Sequence, residues 1–208
     1  MSREYKRIQI SRLAEWLQGL LRIENIKAVL GSLKRRLFKL DFLEMRIDLT
    51  DKIISSPIWD DYSIQKYSED LDEQCMSVLN SVGNLELWNR GRFRHAILSK
   101  VDHPEQDIYL VCDAGLIVGM AVLHRTTEKN TLPEIGYVAV RPEYRGKKIG
   151  HRLLMHILAE TKKRQISQLV LRTDSFRIAA IKTYINVGFT PYITGDNVRK
   201  RWQRVMQQ

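Results

Sequence analysis

The turn at residues 145–148, R-G-K-K, is the stretch whose residue types and spacing are best suited to chemistry. Before it, residues 135–140 alternate as a strand does, and Pro142 ends that strand because proline has no N–H to donate to a sheet. After it, apolar residues recur at helical spacing, at Ile149, Leu153, Leu154, Ile157 and Leu158. Unpaired N–H groups at the helix start, the helix dipole and the lysines all attract negative charge. The sequence therefore predicts a phosphate-binding turn, although a solvated surface loop is the alternative that such a turn leaves open.

Two common phosphate-binding motifs are absent from the sequence, since neither G-x-x-x-x-G-K-[ST] nor G-x-G-x-x-G occurs. The run R-G-K-K-I-G at residues 145–150 instead resembles the acetyl-CoA-binding signature R/Q-x-x-G-x-G/A of the GNAT N-acetyltransferase superfamily. A second block, L-R-T-D-S-F-R-I-A-A-I-K-T-Y-I-N-V-G-F at residues 171–189, is also similar to that superfamily. The resemblance covers roughly residues 70–192 and leaves residues 1–50 unexplained.

The order of the elements and the resemblance both indicate an α+β fold, in which a mixed, mostly antiparallel sheet is flanked by helices. The residue pattern ahead of this fold predicts an extra N-terminal helical and strand segment. The resemblance also implies that the strands at residues 137–140 and 169–172 run side by side and then splay apart, which exposes backbone groups to the pantetheine arm of acetyl-CoA, the co-substrate. One of those amides is placed to polarise the thioester carbonyl. The residues implied in binding acetyl-CoA are Val138, Ala139, Val140, Arg145, Gly146, Lys147, Lys148, Ile149, Gly150, His151 and Arg177.

Two of these positions depart from the pattern of the superfamily. Lys148 stands where glycine is most common, and we expect it to be tolerated because residues in the first turn of a helix have a negative φ. Its side chain is also long enough to reach a phosphate. Arg177 stands where many members have asparagine, and a guanidinium there can meet a phosphate or the coenzyme backbone instead.

The resemblance implies that Tyr184 is the catalytic acid, because it stands five residues before the phenylalanine of V-G-F. In the superfamily a tyrosine at this position protonates the departing coenzyme A thiolate. The transfer needs help from the site, since the pKa of a phenol is about 10 and that of a thiol about 8.5. The alternative is a core tyrosine, because Ala180, Ile181 and Ile185 share its helix face.

Glu134 is implied as the base that accepts the proton of the attacking amine, since several members use a glutamate early on the corresponding strand. A solvated edge carboxylate is the alternative. Strand alternation predicts that Glu134 lies on the face of Gly136 and opposite Tyr137. His124 and His95 are weaker candidates for the same role.

The elements that must position these residues can be read from hydrophobic period and turn residues. They are helices at 69–82 and 85–98, the second interrupted near Gly91; strands at 107–112, 116–124 and 132–140; a helix to about 164; a strand at 168–172; a helix at 177–186; and a closing hairpin of 189–193 and 198–206. In the superfamily the first two helices form one wall of the acceptor pocket. Trp88, Arg92 and Phe93 are therefore candidate acceptor contacts, although core packing is the expected role of the two aromatic residues.

Residues 1–50 are predicted to form a basic amphipathic extension ahead of an acetyltransferase domain at 51–208, with two helices and then a strand or two short strands at 38–49. Residues 51–68 have no clear period and are predicted to be a connecting loop. We expect the extension to pack on the main domain or on a second copy in a homodimer. A lipid surface, or a remnant of a duplicated domain, is the alternative.

The 208 residues carry a net charge of +10, with basic residues concentrated at both termini. This asymmetry is typical of proteins with an anionic partner, and coenzyme A, itself a polyanion, is favoured over nucleic acid. Cys75 and Cys112 are expected in the core, with no metal site. No apolar run approaches the roughly 18 residues of a membrane span, and the first residues lack the apolar part of a secretory signal, so cytoplasm is the expected compartment.

Together these features predict an acetyl-CoA-dependent N-acetyltransferase that acts by direct transfer to a primary amine of a small molecule, peptide or protein. Two alternatives stay open from the residues. The acceptor could be an aminoacyl-tRNA or another amine associated with nucleic acid, which the basic termini would suit and which predicts binding that weakens with salt. The chain could also be a non-catalytic sensor or scaffold that binds coenzyme A without turnover.

Overall fold

The computed structural model describes residues 42–83, 87–124 and 131–208. Within them, seven strands form one sheet in the order β2-β3-β4-β5-β6-β1-β7. The strands are β1 (Phe42–Asp48), β2 (Ser63–Lys66), β3 (Ile108–Asp113), β4 (Leu116–His124), β5 (Glu134–Val140), β6 (Gln168–Asp174) and β7 (Thr190–Pro191). Strands β5 and β6 are parallel, and the other neighbouring pairs are antiparallel. The predicted α+β class with a mixed sheet is confirmed, while the predicted N-terminal helices lie outside the described residues.

Helices pack on both faces of this sheet. They are α1 (Asp72–Ser81), α2 (Arg90–Ala96), α3 (Pro104–Asp107), α4 (Ile149–Lys163), α5 (Ile178–Val187) and α6 (Asp196–Met206). One hydrophobic core joins the sheet to α4, α5 and α6, and a second core joins it to α1 and α2. Cys75 and Cys112 both lie in the second core, as predicted. Contacts divide the chain into two compact units, and these elements belong to the larger one, residues 41–82 and 88–208.

Strand β1 comes first in the chain, yet it lies between β6 and β7. It pairs with β6 along the full length of both strands. Its side chains alternate as a half-buried strand requires, with Leu43, Met45 and Ile47 in the core. The sequence prediction placed these residues in the N-terminal extension, so the sheet includes part of the region that was assigned there.

Strand β2 lies inside the stretch 51–68, which was predicted to be a connecting loop. It forms the edge of the sheet, pairing with β3 from Ser63↔Cys112 to Lys66↔Tyr109. The four residues S-I-Q-K contain one apolar side chain, too few for a recognisable alternation. The pairing with β3, rather than a local pattern, makes this segment a strand.

The predicted closing hairpin is wrong. Strand β7 has two residues, and the segment predicted as the second strand of the hairpin is helix α6. Trp202 and Val205 are buried on that helix, and Val198 packs against the same core. Their spacing of four and three residues is helical, but the basic residues between them hide the period in the sequence.

Helix α2 begins at Arg90, because the side chain of Asn89 accepts a hydrogen bond of 2.9 Å from the Arg92 N–H and caps the helix. Gly91 lies inside this helix and does not interrupt it, contrary to the prediction.

No helix in residues 42–83, 87–124 and 131–208 combines the length and the apolar character needed to cross a membrane.

Candidate active site

Strands β5 and β6 separate partway along their length, as predicted, but the residues of β5 that pair with β6 come before the predicted stretch 137–140. The two strands pair at Glu134↔Val170 and Ile135↔Leu171, and beyond this second pair β6 continues beside β1 while β5 departs from it. The opposite edge of β5 stays paired with β4 to the end of the strand. The separation leaves backbone N–H and C=O groups of β5 facing an opening instead of a neighbouring strand.

A bulge at Tyr137 changes the faces of β5. The φ of Tyr137 is +53°, and the register with β4 shifts at the same place. The Tyr137 ring therefore packs edge-on against His124 and Trp88, with centroid distances of 5.4 and 5.3 Å. Glu134 lies directly opposite His124 in the ladder, so Glu134 and Tyr137 share a face. The prediction that they lie on opposite faces is wrong, because simple alternation does not allow for the extra residue of a bulge.

The basic turn between β5 and α4 contains two residues in the left-handed region. Gly146 has φ +79°, and Lys148 has φ 57° and ψ 15°. Lys148 is the N-cap of α4 and not part of its first turn, so the expected negative φ is wrong. A residue with a Cβ is strained by about 1 kcal/mol in this conformation, which explains why glycine suits the position better. Gly150 lies within α4, and a Cβ there would be 3.7 Å from Val140 Cγ2, an ordinary contact.

A cavity of about 900 Å³ lies where the opened β5, the turn and α5 meet. Most of the predicted cofactor-binding residues line it: Val138, Ala139, Val140, Arg145, Gly146, Lys148, Ile149, Gly150, His151 and Arg177. Lys147 is not a lining residue, and its Nζ lies 4.8 Å from the centroid of the Tyr144 ring. Sequence reasoning missed Tyr144, Phe176 and Asn186, which also line the cavity. The sequence contained one signal for this cavity, the two small residues Ala179 and Ala180 of α5, because small side chains on a helix leave space beside it.

Tyr184 faces the cavity from α5 and is 7% exposed. Its ring packs edge-on against Phe189, 6.5 Å away between centroids. Burial raises the pKa of Tyr184 to about 12, and the nearby charge of Arg177 offsets part of this effect. The phenol therefore keeps its proton at neutral pH and can donate a hydrogen bond to an anion in the cavity.

Arg177 is the N-cap of α5 and also faces the cavity. Its Nε donates to Asp174 Oδ2 at 2.9 Å, which holds the guanidinium at the end of β6. A guanidinium beside a helix N-terminus makes this end of the cavity attractive to an anion.

The predicted acceptor contacts lie on the α2 side of the sheet. Phe93 is fully buried and Trp88 is buried against Tyr137, so both aromatic residues pack in the second core, as expected. The guanidinium of Arg92 lies 4.4 Å from the centroid of the Trp88 ring. These contacts fix Tyr137 beside the opening.

The two histidine candidates have different surroundings. His95 is exposed on α2. His124 is partly buried, its pKa is lowered mainly by burial, and its Nδ1 has no hydrogen-bond partner among the described residues. The imidazole of His124 is therefore neutral at neutral pH.

Glu134, the predicted base, does not line the cavity and lies at the start of β5 on the face of His124. Its side chain contacts Arg172, a residue that sequence reasoning did not single out. Burial raises the pKa of Glu134, while the charge of Arg172 acts in the opposite direction. The structure thus places Tyr184 at the cavity and Glu134 where β5 and β6 begin to separate.

Comparisons with known proteins agree with this geometry. Residues 65–189 match a family model described as "Acetyltransferase (GNAT) family". A GCN5-related N-acetyltransferase from Sphaerobacter thermophilus is 23% identical, with a TM-score of 0.59 over 73% of this chain and 48% of that chain, so the match spans about half of that protein. A GNAT-family acetyltransferase from Staphylococcus aureus Mu50 is 23% identical, with a TM-score of 0.53 over 65% of this chain and 88% of that chain.

A third solved structure, Arabidopsis thaliana Naa50 in complex with the bisubstrate analogue CoA-Ac-MVNAL, is 18% identical, with a TM-score of 0.52 over 62% of this chain and 83% of that chain. At these identities the structural likeness supports the fold. No curated protein matches the chain.

Proposed function

The chain belongs to the GNAT acetyltransferase family, and we propose that it is an N-acetyltransferase that moves an acetyl group from acetyl-CoA directly to a primary amine. The observation that carries this proposal is the cavity at the opening of β5, because one space adjoins strand backbone, a basic helix N-terminus and a buried tyrosine. The acceptor amine belongs to a small molecule, a peptide or a protein. The Naa50 complex, whose bisubstrate analogue joins CoA to a peptide, is a precedent for such an acceptor on the same fold.

The residues around the cavity suit acetyl-CoA by their chemistry. Backbone groups of β5 beyond Ile135 are free to bond a peptide-like arm. The N–H groups at the start of α4 face the same space as Arg145, Lys148 and Arg177, which suits a pyrophosphate. When bound, acetyl-CoA supplies an activated acetyl group as a thioester.

Tyr184 is the proposed acid. Tyr184 lines the cavity, and its hydroxyl keeps its proton at neutral pH because burial raises its pKa. The charge of Arg177 lowers the pKa of this phenol and so favours release of its proton to a thiolate that forms beside it. The phenol therefore delivers the proton that turns the thiolate into a stable leaving group.

Glu134 is the proposed base. It lies on the same face as Tyr137 and His124, at the place where the two central strands begin to part. An amine that approaches the opening from this side meets a carboxylate whose basicity is raised by burial. The carboxylate takes the ammonium proton, directly or through water, so that the neutral amine can attack.

The first test is calorimetric titration with acetyl-CoA, with desulfo-CoA and NADPH as comparators, followed by thiol release over a panel of amines. We expect both coenzyme A compounds to bind, NADPH to give no response, and at least one class of amine to release thiol. Binding without release over the full panel would favour a coenzyme A sensor. Absence of binding would overturn the proposal.

Gly146 and Gly150 form a matched pair for testing the turn. Gly146→Ala places a Cβ on a residue with φ +79°, so the loop must distort, and we expect acetyl-CoA binding to weaken about tenfold. Gly150→Ala adds a Cβ at an ordinary contact distance, and affinity should stay within about threefold. Calorimetry of both variants measures the difference. Equal affinities would show that the conformation of the turn does not matter for binding.

Lys148→Gly is expected to stabilise the protein by about 0.5 kcal/mol, because the relief of left-handed strain exceeds the greater freedom of glycine in the unfolded chain. The same change removes a positive charge beside the cavity, so acetyl-CoA affinity should fall as stability rises. Urea unfolding and calorimetry measure the two effects. Lys147→Gly is the control: the φ of Lys147 is not positive, so this variant should lose stability. A loss of stability in Lys148→Gly would contradict the strain argument.

A further inference from the structure

A row of alternating charges crosses three neighbouring strands on the face that holds Glu134. Arg172 of β6 contacts Glu134 of β5 through one Nη, and its Nη2 lies 3.2 Å from Glu44 Oε2 of β1. The Nε of Arg172 also donates to Glu44 Oε2 at 3.2 Å. On the far side of Glu44, Arg46 Nη2 lies 2.8 Å from Oε1. The Arg46 guanidinium in turn stacks 3.3 Å from the centroid of the Tyr192 ring.

The position of Arg172 gives this row its importance. The last pair of the β5–β6 ladder is Ile135↔Leu171, so Arg172 is the first residue of β6 beyond it. Backbone hydrogen bonds stop here, and the side chain of Arg172 reaches across to Glu134 where the strands part. On its other edge Arg172 stays paired with Glu44 in the β1–β6 ladder, so its own backbone is fixed.

The partial burial of the two carboxylates distinguishes these contacts from an ion pair between fully exposed side chains. The side chains of Glu44 and Glu134 are 22% and 30% exposed, and that of Arg172 is 48% exposed. Two half-buried carboxylates thus share one guanidinium. A bridging guanidinium in a partly shielded place fixes the direction of both carboxylates, since it donates from a planar fork.

We infer that Arg172, braced by Glu44, is a positioning residue for Glu134: it holds the carboxylate at the point where β5 and β6 separate and keeps it ionised. The inference rests on the proposed function insofar as Glu134 is the base. The bracing itself is a property of the free protein. It assigns a role to β1, the strand that reaches the sheet from the N-terminal side of the domain, because β1 carries Glu44.

The charges that face Glu134 come from several elements. Arg172 on β6 and Lys100 in the turn after α2 favour its ionised form, and Glu44 on β1 disfavours it. His124 on β4 lies opposite in the ladder and Tyr137 lies on the same strand, and both are neutral at neutral pH. Removal of Arg172 therefore takes away the cation in direct contact while the repulsion from Glu44 remains.

The test follows the titration of Glu134 directly, by 13C NMR of protein labelled at the glutamate side-chain carboxyl carbon. Glu134→Gln assigns the signal by its disappearance. In Arg172→Met we expect the midpoint of this signal to rise by about 1 pH unit, since a contacting guanidinium lowers a carboxyl pKa by one unit or more. Arg172→Lys keeps the charge but loses the fork, so its midpoint should lie between those of the wild type and Arg172→Met.

Two further variants keep the test decisive even where Arg172→Met folds poorly. Glu44→Gln removes a like charge, so the Glu134 midpoint should fall, opposite in sign to the effect of Arg172→Met. Arg46→Met is the matched control, because it removes a guanidinium from the same row that does not contact Glu134. In Arg46→Met the titration midpoint of Glu134 should stay within about 0.3 pH unit of the wild-type value. An unchanged midpoint in both Arg172→Met and Glu44→Gln would overturn the inference.

The readout also separates this inference from the proposed function. The titration requires no acceptor and no acetyl-CoA, so it stands even if the chain transfers nothing. Where acetyl transfer to an amine is observed, the pKa that sets the acidic limb of the kcat/KM pH profile should rise with the NMR midpoint in Arg172→Met. A moved midpoint with an unmoved acidic limb would mean that Arg172 holds Glu134 but that Glu134 is not the base.

Discussion

Tyr184→Phe lowers kcat for acetyl transfer by about 100-fold and leaves the affinity for acetyl-CoA within about threefold, which is the expected result if the phenol protonates the thiolate. The ring stays in place, because its packing against Phe189 and the α5 core does not involve the hydroxyl. Loss of the proton donor affects the step in which the thiolate departs. Stopped-flow thiol release and calorimetry on the same preparation measure the two quantities.

Tyr192→Phe is the matched control for this experiment. Tyr192 also has a phenol, but its ring stacks on Arg46 and it does not line the cavity. Removal of its hydroxyl should leave kcat unchanged. An unchanged kcat in Tyr184→Phe would return Tyr184 to the alternative reading of the sequence, a tyrosine that only packs in the core.

The raised pKa of Tyr184 also has a consequence for stability at high pH. Burial raises this pKa from the usual 10 to about 12, so the folded state disfavours the ionised phenol. A raised pKa contributes stability that is fully present below pH 10 and is lost as pH rises from there through 12. Tyr184→Phe should therefore lose less stability than the wild type over that interval, which alkaline urea titrations can measure.

The sequence predicted which residues form the site better than it predicted their backbone conformation. The motif at 145–150 and the block at 171–189 led to residues that the structure gathers around one cavity, because motif spacing preserves the order of strand, turn and helix. The left-handed φ of Lys148 and the bulge at Tyr137 were not predicted. Both depend on how β4, β5 and α4 fit together, and a residue's own type gives little sign of such strain.

In the fold, too, elements with a local sequence pattern were predicted, and those that depend on distant residues were not. The hairpin of β3 and β4 and the long helix α4 have strong local patterns, and both were predicted. The place of β1 between β6 and β7 depends on pairing with a strand more than a hundred residues away in sequence. The Arg172–Glu44 contact follows from that pairing, which is why sequence reasoning missed it.

A second large effect, on the free energy of unfolding, is expected from substitution of Arg164. This residue follows α4 and forms an ion pair with Asp107 at the end of α3. The Arg164 Nη1 lies 2.6 Å from Asp107 Oδ1, and Arg164 Nη2 donates to the Gln106 carbonyl at 3.0 Å. Asp107 is 0% exposed. Arg164→Met leaves a buried carboxylate without its guanidinium, which should cost about 3–5 kcal/mol of unfolding free energy. Since 1 kcal/mol corresponds to about 2–4 °C in a protein of this size, Tm should fall by roughly 10 °C.

The neighbouring residue provides a control that separates burial from ion pairing. Lys163 Nζ lies 2.7 Å from Glu160 Oε1, nearly the same separation, but its side chain is 68% exposed. Lys163→Met should therefore change stability by no more than about 0.5 kcal/mol. Asp107→Asn combined with Arg164→Met should recover part of the loss, because the buried carboxylate charge is then absent. If Arg164→Met and Lys163→Met melt at the same temperature, the Asp107 carboxylate is compensated by other groups, and Arg164 does not hold α3 to the end of α4.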